Sequence, residues 1–335
     1  MKRLVRRLAG LLTAAGICLM TGGGLDTYLA ERPMEERMKN VSVRSADPVY
    51  RRPLPQRLMQ AVGLAPPRES FSPPPMPTPE PESILETTIE GGMRVKNETG
   101  YWVDAAQLLI EGPGLTLPPD EPQILIIHTH ASEAYTQAGA DRYSASDANR
   151  TEDTQFNVVR IGDELTEILT EAGLIVLHDR GIYDYPSYTG SYSRAGAAIE
   201  QYLESCPGIR IVLDIHRDAL GANGVVYKTM AEEEGTTASQ IMLLVGTDES
   251  GLPHPYWSGN LAFALYLQNA VNSAYPTLMR PVDLVPQRYN QQLTPGSLIV
   301  EVGSSGNTLR EALTAIRLFG RAIAPALAAL VEYTE

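Results

Sequence analysis

The chain has 335 residues, 43% of them hydrophobic and 20% charged, enough for one large domain or two small ones with a sizeable core. Charge is unevenly spread: residues 1–57 are net positive by 6, so the overall −13 leaves −19 on residues 58–335. A domain that acidic is excluded as a nucleic-acid binder, because nothing in it replaces phosphate counterions. Cys18 lies in an apolar N-terminal run and Cys206 precedes Pro207-Gly208, so the two cysteines make neither a disulfide framework nor a metal pair.

In chain order, Lys2, Arg3, Arg6 and Arg7 precede an uncharged stretch from Leu8 to Leu25. As a helix it would reach about 27 Å, just under a bilayer core, with the basic flank cytoplasmic and the rest of the chain on the far side. An uncleaved single-pass anchor over 1–25 is favoured over a cleaved signal peptide, since no small-x-small site is well formed. Residues 26–82 form a linker, proline-rich from Ala46 to Glu82, and read as an extended extracytoplasmic tether. Residues 83–335 are the expected catalytic domain.

Residues 83–120 are ambiguous, with short strands suggested at 93–95 and 101–103 and a helix beginning at Ala105. From there the pattern sharpens. Ile124–Ile127 is a continuous apolar run, as in a strand buried on both faces. Val158, Ile161, Leu165, Ile168, Leu169 and Ala172 recur at helical spacing up to Gly173. The reading continues with a strand over 174–177, a helix over 194–203, and a strand over 209–215. Strands over 225–227 and 241–245 are expected to pair with each other. A helix over 261–271, a strand over 298–300 and a closing helix over 309–333 complete it. Alternating strands and helices predict an α/β fold with a mostly parallel sheet flanked by helices, and in such sheets ligands bind beyond the strands' carboxyl ends.

Three strand ends there carry reactive groups. Ile124–Ile127 runs into His128-Thr129-His130-Ala131-Ser132-Glu133, the 209–215 strand into His216-Arg217-Asp218, and the 298–300 strand into Glu301. Two imidazoles and a carboxylate are a catalytic zinc set, and zinc lowers the pKa of its water to about 7. A further carboxylate is needed to move the proton, and Glu301 is the candidate. His130, His216, Glu133 in an H-x-x-E turn, and His128 are the candidate metal residues, His128 as ligand or just behind one. Glu152 and Asp153 compete for the carboxylate position. Asp214 is placed to orient an imidazole, while His178 and His254 read as structural. Arg217 is a candidate for a substrate carboxylate, with an ion pair as the alternative.

The segments Ile127–Tyr135, Phe156–Leu165, Asp214–Ala219 and Val300–Leu309, in this order, resemble the stage II sporulation protein P family over roughly residues 90–335. The resemblance implies a zinc-dependent N-acetylmuramoyl-L-alanine amidase with a zinc amidase, phosphorylase/hydrolase-like fold. It implies peptidoglycan as substrate, peptide cross-links as a second target, and action in septal wall remodelling during sporulation engulfment. It also implies partnership with the sporulation proteins D and M at the membrane. By the same resemblance His216 is a zinc ligand and Glu301 the catalytic glutamate. His130 aligns with a ligand histidine whose flanking glycines are missing here. Asp153, four residues before Asn157, matches the family's carboxylate ligand; the H-x-x-E spacing favours Glu133. A zinc carboxypeptidase or endopeptidase is the nearest rival, and a non-catalytic wall-binding module the next.

Overall fold

A computed structural model of the protein describes residues 83–87, 89, 94–222 and 225–332. The expected anchor over 1–25 and linker over 26–82 lie outside these residues. Among the described residues no helix is long and apolar enough to cross a membrane.

The elements are β1 (Ser83–Thr87), β2 (Val95–Asn97), α1 (Ala105–Glu111), β3 (Ile124–Ile127), α2 (Val158–Glu171), β4 (Val176–His178) and α3 (Ser191–Ser205). They continue with β5 (Ile211–Asp218), β6 (Gly221–Ala222), β7 (Val225–Thr229), β8 (Ala231–Glu233), β9 (Thr236–Ala238), β10 (Ile241–Gly246), α4 (Trp257–Ala274), β11 (Val282–Val285), β12 (Ser297–Ser304) and α5 (Leu309–Ala328). A seven-stranded sheet of order β2-β11-β10-β12-β5-β3-β4 forms the centre. Its neighbours run parallel except at the β10–β12 joint, so two parallel blocks of opposite direction meet there. The expected mostly parallel α/β sheet is therefore present.

The expected pairing of 225–227 with 241–245 is not. β7 joins β1 and β6 in a separate three-stranded sheet, while β10 pairs with β11 and β12. The hairpin β8–β9 intervenes between β7 and β10 and redirects the chain. No strand forms over 101–103 either; that stretch leads into α1, capped by Asp104, whose carboxylate accepts from Gln107 N.

Strand alternation divides the central residues between two faces. Ile124, Ile126, Ile211, Leu213, Ile215, Leu298, Val300 and Val302 pack with α2, α4 and α5 into the larger core. Leu125, Ile127 and Val212 pack with Ala195, Ala198 and Ile199 of α3 into a smaller one. All four residues of β3 are buried, as its unbroken apolar run requires. The face under α3 also carries Asp214, His216 and Glu301: Ile127 pairs with Asp214, Ile299 with Asp214, and Glu301 with His216. Beyond Glu301 the register slips at a bulge before Ser304, where Gly303 takes a positive φ of 69°. Thr308 and Glu311 then close a reciprocal capping box that starts α5.

Candidate metal centre

The H-x-x-E segment leaves β3 as a tight turn in which Glu133 N donates to His130 O. The loop at 147–157 pins it: Glu133 bridges Arg150, Ala134 bridges Asn157, and Val158 N donates to Glu133 O. The fully buried Tyr135 donates its hydroxyl to Val302 O at 3.0 Å, tying the turn to β12.

His130, Glu133 and His216, all buried, each offer a ligand atom lying within 4.8 Å of the other two. Both rings turn Nδ1 to the same carboxylate, His130 at 3.8 Å from Glu133 Oε1 and His216 at 3.4 Å from Oε2. Both place Nε2 against a second polar group: Ser191 Oγ lies 3.0 Å from His130, and Asp214 Oδ1 lies 3.0 Å from His216. A ring nitrogen held from behind leaves its partner free to ligate, the usual arrangement around a metal. Asp214 is itself fixed by Thr129, whose N–H donates at 2.8 Å and hydroxyl at 2.6 Å.

The electrostatics favour a cation here. Burial lowers His130 to about 4, with His216 adding to the effect, so its imidazole is neutral. Burial opposes protonation of His216 as well, but Asp214 and Glu133 raise it well above the ordinary histidine range. Burial would raise Glu133, yet Arg217, His216 and His130 together hold it well below the ordinary carboxylate range. The two carboxylates that raise His216 thus make this a place where positive charge is favoured. The donors fit zinc: two imidazoles and a carboxylate, converging, with Ser191 within hydrogen-bond reach of one outer nitrogen and the Asp214 carboxylate beside the other.

Glu301 is the neighbour of His216 across β12 and β5. Its Oε2 is shut off from water and has no hydrogen-bond partner among the described residues. Burial raises this carboxyl to about 8, with Glu133 and Asp218 adding to the rise and His216 and Arg217 opposing it. A lone carboxyl tuned near neutrality beside a donor triad has the character of a proton carrier.

His128 and Arg217 lie apart from the triad, and the choice between Glu133 and Asp153 falls as the H-x-x-E spacing favoured. His128 is not in the triad, because it sits on the opposite face of the sheet. Its Nδ1 lies 3.1 Å from Ile215 O and its Nε2 2.8 Å from His178 Nε2, under Gly162 of α2. Alternation along β3 puts His128 opposite Ile127, on the α2 side, and the turn that begins at Thr129 carries His130 to the other face. Arg217 does not face a substrate. Its buried guanidinium donates to Ala134 O at 2.9 Å and Asn149 O at 3.0 Å, and it braces the Glu133 turn. Asp153 is exposed and accepts from Gln155 N, so Glu133 supplies the triad's carboxylate.

Several neighbours were not legible in the sequence. Arg150 donates to Glu133 at 3.2 Å and to Asp184 at 2.7 Å, and lies 5.1 Å over the Tyr188 ring. Tyr188, 57% exposed, stacks on His130 at 4.5 Å, while Tyr192 meets His130 edge-on and lies 5.3 Å from Tyr289. No motif marks them; the proximity of 183–192 to the H-x-x-E turn exists only in three dimensions.

An α/β sheet with a buried His-Glu-His cluster at its strand ends, and a carboxyl beside it, is an arrangement that could hold a single metal ion. Residues 78–324 match the family model of Stage II sporulation protein P (SpoIIP), and the chain belongs to that family. The Stage II sporulation protein P of Bacillus subtilis (strain 168) is 23% identical over 252 residues, 71% of this chain, and the chain spans 58% of that relative's length. Among solved structures, the N-acetylmuramoyl-L-alanine amidase AmiC2 of Nostoc punctiforme is 14% identical, with a TM-score of 0.36 over 62% of this chain and 96% of that one. The CwlD amidase from Clostridioides difficile in complex with the GerS lipoprotein is 13% identical, with a TM-score of 0.37 over 62% and 98%. Likenesses this slight carry no inference about the present chain.

Proposed function

We propose that this protein is a zinc-dependent peptidoglycan amidase that cleaves the amide between the muramoyl lactyl group and the stem peptide. It acts from an N-terminal membrane tether, outside the cytoplasm, in septal wall remodelling during sporulation engulfment. The sporulation proteins D and M are its candidate partners. Membership of the Stage II sporulation protein P family supports the biological setting. The observation that carries the chemistry is the convergence of His130, Glu133 and His216 beside Glu301, whose Oε2 has no hydrogen-bond partner among the described residues.

In this reading His130, Glu133 and His216 hold the zinc. When bound, zinc supplies a Lewis acid that polarises the scissile carbonyl and acidifies water. Ser191 and Asp214 keep the Nδ1 atoms of the two imidazoles directed at the ion's position. Glu301 takes a proton from the attacking water and returns it to the departing amine, a role suited to a carboxyl lifted to about 8 by burial. Tyr188, Tyr192 and Tyr289 wall the approach and exclude bulk water from one side. Thr129, Arg150 and Arg217 hold the carboxylates in place.

The test is digestion of purified peptidoglycan by the isolated protein. Stem peptides with new amino termini are expected, lost on chelation and restored by zinc. Glu301→Gln should lower the rate by roughly 10²- to 10⁴-fold while retaining zinc. Undiminished hydrolysis by Glu301→Gln would remove the proton-carrier role, and release of single carboxyl-terminal amino acids would make the enzyme a carboxypeptidase.

A further inference from the structure

The face that bears Asp214, His216 and Glu301 continues past β12. Met242 on β10 pairs with Glu301, and Ile241 forms a parallel bridge with Met279. Ile241 and Met279 both lie in the larger core, so the next residue, Arg280, falls on the same face as Met242. His216, Glu301, Met242 and Arg280 thus form a line of positions across the sheet, each step about 4.8 Å. Met242 and Arg280 are buried on this line, and exposure returns beside it at Leu244 on β10, Asp283 on β11 and Lys96 on β2.

The Arg280 guanidinium reaches across the sheet to the end of β5. Its Nη1 donates to Asp218 Oδ2 at 2.7 Å, and Asp218 lies two positions beyond His216 on β5, about 7 Å along the strand. Arg280 is held in place, with 8% of its surface exposed, but its donors are underused. Nε is closed to water and unpartnered among the described residues, and Nη2 donates to none of them. The nearby Asp283 has Lys96 at 3.5 Å to balance its charge, which leaves Asp218 as the carboxylate in hydrogen-bond contact with Arg280. A structural pair that used the guanidinium fork would engage two donors with one carboxylate; this one engages a single terminal nitrogen.

We propose that Arg280 is a specificity-determining residue that binds a carboxylate of the substrate peptide about two residues from the scissile amide. An extended chain advances 3.3–3.6 Å or so per residue, so about 7 Å from the His216 position corresponds to roughly two residues. On a domain this acidic, a fixed guanidinium with spare donors is the place where an anionic group of the ligand gains rather than loses by docking. The proposal rests on the hydrolase reading and adds the direction in which the peptide lies, from His216 along β5 toward the Asp218–Arg280 pair.

The experiment measures calorimetric binding of two muramoyl-peptide fragments, one with the carboxylate free and one with it converted to the carboxamide. The full-length chain carries Glu301→Gln so that neither fragment is cut. The acid should bind roughly ten- to a hundredfold more tightly than the amide, the range for a hydrogen bond to a charged group. Adding Arg280→Gln should abolish that preference by weakening the acid alone, and Arg280→Lys should recover part of it. Equal binding of acid and amide by the parent, or a preference that survives Arg280→Gln, overturns the proposal, as does equal weakening of both fragments. Wall hydrolysis by the unaltered chain, measured alongside, separates the two failures. Cleavage without acid preference removes the role of Arg280 and leaves the hydrolase; absence of cleavage and of binding removes both.

Discussion

At the scale of single residues, the histidines divide by what lies behind each ring. His130 and His216 have a polar group at Nε2 and a carboxylate before Nδ1, whereas His128 and His178 use Nε2 on each other. His254 differs again: it is 1% exposed and neither ring nitrogen has a partner among the described residues. Burial lowers it to about 4, with Arg288 adding to the fall and Asp248 opposing it. Since its folded pKa lies below the unfolded value of about 6.5, the unfolded chain binds the extra proton between those values. Stability is therefore lost as pH falls from about 6.5 toward 4. His254→Leu should flatten that decline, raising stability at pH 5 by roughly 2 kcal/mol relative to the parent and less at pH 8. Denaturant titrations at the two pH values provide the check, and parallel curves would show that His254 is not titrating on unfolding.

At the scale of elements, α2 shows how the back of the site is packed. Asn157 caps it by accepting from Val159 N, and Val158, Ile161, Leu165 and Leu169 form the buried stripe that its periodicity foretold. Gly162 interrupts this helix for a steric reason: a Cβ there would lie 2.6 Å from Nε2 of both His128 and His178. A mid-helix glycine normally costs about 1 kcal/mol against alanine, so its presence marks how closely α2 must approach the ends of β3 and β4. Gly162→Ala should destabilise the fold by about 1–3 kcal/mol despite its better helix propensity. The expected readout is a lower thermal midpoint with the His128–His178 contact displaced; an unchanged or higher midpoint would mean the gap can relax.

Across the whole molecule, the proposed metal site would couple ion binding to folding, because the triad draws on β5 and the turn after β3 and leans on α3 through Ser191. An ion that binds only this assembled arrangement stabilises the fold by about 4 kcal/mol at a thousandfold excess over its dissociation constant. Zinc should therefore raise the melting temperature of chelated protein, and His216→Ala should abolish the rise. A midpoint indifferent to zinc in the unaltered chain would set aside the metal centre.

Consecutive residues alone encode the alternation of strands and helices after residue 123, the buried character of β3 and β5, and the three strand ends where the reactive groups lie. These are local facts: hydrophobic period and run length are written in consecutive residues. The sequence also singled out His130, Glu133, His216 and Glu301, because scarce histidines fell at strand ends. Only the tertiary structure decided that His128 lies on the far face, that Arg217 turns inward, and that β7 leaves β10 for another sheet. It alone brought Tyr188 and Arg150 beside His130 and Glu133, and Arg280 against Asp218. Register and loop closure are set by packing between segments far apart in the chain, and a one-residue difference in either exchanges the two faces of a strand.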